Sequence, residues 1–123
     1  MLRRLRDKLR EWSTSPLDRW SVSFDAESIV TSDGSGSSLK LPVAELHKVV
    51  VQTDGSGPCG PDVLYFLFGS GPEPAGVFPI EAQGRQEFVR WLSTLPGYRD
   101  GEHRQAMGST DFAKFVIFEA DMS

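Results

Sequence analysis

Residues 39–92 read LKLPVAELHKVVVQTDGSGPCGPDVLYFLFGSGPEPAGVFPIEAQGRQEFVRWL, and their order of strand, Pro-containing corner, strands and one amphipathic helix decides the fold. Leu39, Leu41 and Val43 alternate with polar neighbours, as one face of a strand. Pro42 cannot donate to a sheet ladder, so Pro42-Val43-Ala44-Glu45-Leu46 is expected at a corner on an edge strand. The next strand is expected over His47 to Thr53. Gly55 to Pro61 holds three Gly and two Pro in seven residues and reads as loop. Val63-Leu64-Tyr65-Phe66-Leu67-Phe68 is apolar without alternation, which predicts a central strand covered on both faces. A second Pro and Gly cluster, Gly69 to Gly76, leads to a short strand Val77 to Ile80, where Pro79 again points to an edge. From Gly84 the period changes from two to about 3.6. Phe88, Trp91, Leu92 and Leu95 share one face of a helix while Arg85, Glu87 and Arg90 lie away from it, and Pro96-Gly97 ends it.

Outward from this stretch the chain stays strand-rich. Trp20, Val22 and Phe24 alternate with Ser21, Ser23 and Asp25, as in a half-buried antiparallel strand. Asp25-Ala26-Glu27 is short and polar enough to be a hairpin connection to a return strand, Ser28 to Ser32. Asp33 to Ser38 is a turn. Glu102 to Met107 is expected as a short second helix ended by Gly108, and Phe112 to Glu119 as an extra last strand. The fold class is therefore α+β and antiparallel, with one main amphipathic helix in the C-terminal half.

The chain has 123 residues, 39% hydrophobic and 24% charged, which suits one globular domain with a single core. One Cys excludes an internal disulfide framework and fits a reducing compartment, so the expected localisation is cytoplasmic. Charge is uneven. Residues 1–20 carry six Arg or Lys against three acids, leaving the remainder of a chain of net charge −4 at −7. Within residues 1–16, Leu2, Leu5, Leu9 and Trp12 recur at helical spacing opposite a face that includes Arg3, Arg6 and Arg10, which predicts a basic amphipathic helix before a domain at 20–123. Two readings stay open for it. These seven residues face a partner or an anionic membrane surface, or the apolar stripe packs on the chain's own sheet or the segment frays. No apolar run is long enough to span a bilayer, so the protein is not expected to be transmembrane, and the unbroken apolar centre of a signal peptide is absent.

The residues that carry chemistry are few. Two His and one Cys far apart in sequence make a poor zinc site, and no cofactor or metal is expected. The glycines around Cys59 lack the Gly-Lys-Ser/Thr that a phosphate cradle requires, and they precede a strand instead of opening a helix. Cys59 has neither His47 nor His103 near it in sequence to lower its thiol pKa. Glu73 and Glu81 are carboxylates that nothing raises above the other acids. Ser109, Thr110 and Asp111 read as a turn or cap. An acidic body repels phosphates, which disfavours nucleic acid.

The order Val22-Ser23-Phe24, acidic hairpin, Ile29-Val30, turn, Leu39 to Leu46 and Val49-Val50-Val51 resembles the opening sheet of bacterial pleckstrin-homology-like (PH-like) domains. Val77-Phe78-Pro79-Ile80 followed by the helix through Phe88 and Leu92 is similar to their last strand and capping helix. Gly57-Pro58-Cys59-Gly60-Pro61-Asp62-Val63, Leu95-Pro96-Gly97-Tyr98 and Ala106-Met107-Gly108-Ser109-Thr110 resemble a small group of uncharacterised bacterial proteins. The first resemblance implies a PH-like bent sheet or partial barrel closed by a helix and used as a binding platform. It carries over no lipid site, because phosphoinositide-binding members place Lys and Arg around the first hairpin, which here is Asp25-Ala26-Glu27. The extension from Tyr98 to Ser123 also departs from the simple form of that fold. The expected function is a non-enzymatic interaction module for a protein partner, one special case being an immunity protein that masks a basic toxin. The alternatives are a small hydrolase or transferase using Cys59 or His103, and a module held at a membrane surface by residues 1–16.

Overall fold

In a computed structural model, which describes residues 19–34, 36, 38–54, 62–109 and 113–120, the chain forms two antiparallel sheets and two helices. Strands β1 (Ser21–Phe24), β2 (Ser28–Ser32) and β3 (Ser38–Pro42) make a three-stranded sheet in that order. Strands β4 (Lys48–Asp54), β5 (Asp62–Phe68), β6 (Pro74–Pro79) and β7 (Ala113–Glu119) make a four-stranded sheet in the order β6-β5-β4-β7. Helices α1 (Arg85–Leu92) and α2 (Asp100–Gly108) follow β6. The α+β, antiparallel expectation is met, but the strands form two separate sheets and do not close into a barrel. The break falls where Pro42 ends β3. A 3-10 turn, Val43–Glu45, then carries the chain into the second sheet, and β4 takes β5 and β7 as its partners.

The expected helix at residues 1–16, and with it Leu2, Leu5, Leu9, Trp12, Arg3, Arg6 and Arg10, lies outside the described residues, as do Cys59 and the rest of the Gly55 to Pro61 loop.

Register fixes the faces. Val22 pairs with Thr31, Phe24 with Ile29, Ile29 with Leu41 and Thr31 with Leu39, so these six share the inner face of the first sheet. Val22, Ile29, Thr31 and Leu41 are buried, but Leu39 is 38% exposed. Leu39 and Leu41 therefore share a face as expected, and the expectation is corrected only at Val43, which lies outside the strand. Leu39 sits near the start of an edge strand, and Val43 belongs to the 3-10 turn because Pro42 has ended the ladder. Both prolines expected at edges are there, Pro42 in β3 and Pro79 in β6. β6 begins at Pro74 instead of Val77, and an edge position lets it hold two residues that cannot donate outward.

β5 is central, as its unalternating run predicts. Val63, Tyr65 and Leu67 lie on its inner face with Val49, Val51, Thr53 and Phe78, all buried. That face receives the other elements. An added Cβ at Gly76, opposite Leu67, would lie 3.3 Å from the Thr31 side chain of the first sheet. Phe88 of α1 meets Phe78 edge-on at 5.6 Å. α2 packs against β7 and β4. Leu64, Phe66, Phe68, Val50, Gln52, Val77 and Val116 alternate to the outer face.

The helices differ from expectation at their ends. α1 stops at Leu92, and Leu95, expected on its face, lies in a tightened exit where Thr94 and Leu95 donate to Trp91 and Leu92 at 3.0 Å each. α2 starts at Asp100, two residues earlier than Glu102, because Arg99 is held by the sheet: its N–H donates to the Ile117 carbonyl at 2.7 Å. Gly97 makes that turn at φ +98°, with the Glu119 carbonyl where a Cβ would stand. Gly84 opens α1 at φ +85° against the Val22 carbonyl in the same manner, and Gln83 beside it bridges β1 through two 2.9 Å bonds, Val22 N–H to Gln83 and Gln83 N–H to Trp20.

Candidate functional site

Tyr65 is fully buried in the apolar run Val63 to Phe68, so its hydroxyl must find a partner inside. The partner is His103 of α2, whose Nε2 lies 2.9 Å away. On the other side of the ring the Tyr98 hydroxyl is 2.7 Å from Nδ1. Both tyrosine rings stand edge-on to the imidazole at 5.9 Å between centroids, and the Tyr65 hydroxyl is 4.0 Å from the Met107 sulfur. Burial pushes the His103 pKa below its ordinary value, the Arg85 charge adds to that, and Asp100 opposes both. A neutral imidazole has one N–H and one bare nitrogen, so one tyrosine donates to it and the other accepts from it. Burial raises the pKa of Tyr65, partly offset by Arg85, and burial followed by Asp100 raises that of Tyr98.

Chemically, this arrangement holds a neutral base with both of its nitrogens already engaged. It joins α2 to the middle of the four-stranded sheet and to the turn that precedes the helix.

The other sequence candidates stay apart. His47 is half-buried just before β4, where its backbone bonds Phe68 and Ala120 at 2.8 Å each. Glu73 precedes β6 and Glu81 follows it, so a whole strand, roughly 20 Å, separates them. Ser109 follows α2 as its C-cap, its N–H donating to the Ala106 carbonyl at 3.2 Å, while its hydroxyl accepts from Thr53 of β4 at 3.2 Å; Thr110 and Asp111 lie outside the described residues. Among the described residues no group of three His, Cys, Asp or Glu side chains gathers to hold a metal. No helix among them is long and apolar enough to cross a membrane.

A second cluster lies at the surface. Phe24, the last residue of β1, stacks on Trp91 of α1 with centroids 5.0 Å apart and 27° between planes, and both rings meet Phe88. Phe88 is fully buried, whereas Phe24 and Trp91 are only half-buried. The hairpin that begins beside Phe24 is rigid: the Asp25 carboxylate accepts the N–H groups of Glu27 at 2.7 Å and Ser28 at 2.9 Å. Those bonds, first Ser28 and then Glu27, hold the Asp25 carboxyl below the usual range. Asp25, Glu27 and, one turn before Trp91, Glu87 are exposed around the pair. Sequence reading placed Phe24 and Trp91 on apolar faces but had no signal that the faces meet.

No family model, no curated protein and no solved structure matches the chain.

Proposed function

We propose that the domain is a non-enzymatic binding module that takes a protein partner with a basic contact surface, through the end of the first sheet where Phe24 and Trp91 stack. The observation that carries this reading is the half-exposed aromatic pair itself, set on a fixed acidic hairpin. Aromatic side chains supply large contact area at low entropic cost and dominate binding hot spots. Surrounding acids steer and orient a basic partner. The PH-like resemblance, which implies a binding platform, supports the same use, and the acidic hairpin favours a protein over a phosphoinositide. An immunity protein masking a basic toxin is one form this takes.

The test is capture from native lysate by the immobilised chain, by Trp91→Ala and by Glu27→Lys, with each variant's fold checked by circular dichroism. The expected result is a near-stoichiometric protein that is weakened by salt and lost with both substitutions. A partner retained equally by both variants, or no partner at all, overturns the reading.

A further inference from the structure

The stacked pair Phe24 and Trp91 is left unfilled by the chain's own cations. Elsewhere in the fold a cation does sit over a ring, Lys48 on Phe68 at 5.1 Å, but among the described residues no Lys or Arg lies over Phe24 or Trp91. The carboxylates around the pair have spare capacity as well. Asp25 uses Oδ1 for both hairpin N–H groups, which leaves Oδ2 outside those bonds. The Lys40 charge acts on Asp25 but forms no ion pair with it. Among the described residues neither Glu27 nor Glu87 forms an ion pair; those present join Arg99 to Glu119 and Arg104 to Asp100. Glu87 stands four positions before Trp91, one turn back on the same side of α1, and Asp25 follows Phe24 directly. Half-exposed rings and unpaired carboxylates in one place attract a cation from two directions.

We infer that this site takes an arginine side chain of the protein partner, its guanidinium stacked on the Phe24–Trp91 pair and its N–H fork turned to the carboxylates of Glu87 and Asp25. The inference rests on the partner reading above and names the group that reading leaves open. Guanidinium fits because it is planar: its five N–H groups point outward in the plane, toward carboxylates, while its weakly hydrated faces are free to lie on a ring. An ammonium is compact and strongly hydrated, and laying it on a ring strips water from donors that the ring cannot replace in full. The receiving surface is already held in place. Phe88, fully buried, meets Phe24 at 6.1 Å and Trp91 at 5.7 Å and is itself braced by Phe78 at 5.6 Å. Folding has therefore met the ordering cost that binding would otherwise carry.

The experiment titrates isotope-labelled full-length protein with blocked peptides Ser-Gly-X-Gly-Ser that carry arginine, lysine or citrulline at X, and follows backbone amide and indole shifts. The expected result is that the arginine peptide moves Phe24, Asp25, Glu87 and Trp91, binds about two- to fivefold more tightly than the lysine peptide, and weakens with added salt. Citrulline keeps the shape without the charge and should not bind. Trp91→Ala should remove the response, and Glu87→Gln, an exposed change that leaves the rings in place, should weaken it by about twofold. Equal affinity for arginine and lysine overturns the inference, because charge alone is then being read. So does binding of citrulline, a response centred away from Trp91, or no response to any peptide. Failure here is distinct from failure of the partner reading. A protein captured through Trp91 without any arginine preference sinks the arginine inference alone, whereas arginine binding at Trp91 with no captured protein supports the chemistry of the site and sinks the partner.

Discussion

Tyr65 of β5 and His103 of α2 stand 38 positions apart in sequence and 2.9 Å apart in space, joined hydroxyl to Nε2 inside the core. A histidine held this way is a stability sensor whose sign follows from its environment. Burial and Arg85 lower its native pKa, so the folded protein resists the proton that the unfolded chain accepts below pH 6.5. The contribution is complete above 6.5. It falls as pH drops from 6.5 to the native pKa and is flat beneath it. Urea midpoints between pH 8 and 5 should decline more steeply for the native sequence than for His103→Gln. Parallel curves would remove His103 as the cause, since His47 is common to both.

The two tyrosines are expected to rank by burial. Tyr65→Phe leaves Nε2 unpartnered where water does not reach, at a cost of about 1–3 kcal/mol. Tyr98 is half-buried, water can replace its hydroxyl, and Tyr98→Phe should cost about 1 kcal/mol. Denaturant unfolding decides the order, and the reverse ranking would show that Nδ1 is the better-buried nitrogen.

Glycines divide by backbone geometry. Gly84 and Gly97 have positive φ and face the carbonyls of Val22 and Glu119 at close quarters, so alanine at either should cost about 2 kcal/mol or more. Gly101, inside α2 with open space where its Cβ would go, should gain up to about 1 kcal/mol as Gly101→Ala. Thermal unfolding of the three variants reads both signs at once.

These sites also mark what the sequence could and could not convey. The run Val63 to Phe68 was legible as a central strand because six apolar residues without alternation require cover on both faces. Phe88 and Leu92, spaced for one helical face, are both fully buried as expected. Pro42 and Pro79 were legible as edges, since a missing N–H has the same consequence in any fold. That Pro42 also separates two sheets was not legible, because it depends on β4 finding β7 from the far end of the chain. The Tyr98-His103-Tyr65 cluster joins three elements, and no local pattern announces it. The one usable signal was Tyr65 itself, a hydroxyl in an apolar strand that had to meet a polar group. Phe24 and Trp91 were hidden for the same reason: periodicity gives the face of each element but not which faces touch.

The last relationship concerns how the extra strand is held. Arg99 and Glu119 make a 2.9 Å ion pair across the turn before α2 and the end of β7, with side chains 48% and 43% exposed. Beneath it run two backbone bonds, Arg99 N–H to Ile117 at 2.7 Å and Glu119 N–H to Gly97 at 3.1 Å. Solvent screens an ion pair this exposed, and holding two long side chains in one geometry costs entropy, so its net worth is below about 1 kcal/mol. Glu119→Gln should therefore lower stability only slightly, and less at high salt than at low salt. Gly97→Ala displaces the backbone carrying both main-chain bonds and should cost more, with little salt dependence. Denaturation of both variants at two ionic strengths compares the terms directly. A large, salt-sensitive loss for Glu119→Gln would mean that the ion pair, and not the ladder, fixes β7 to the helix.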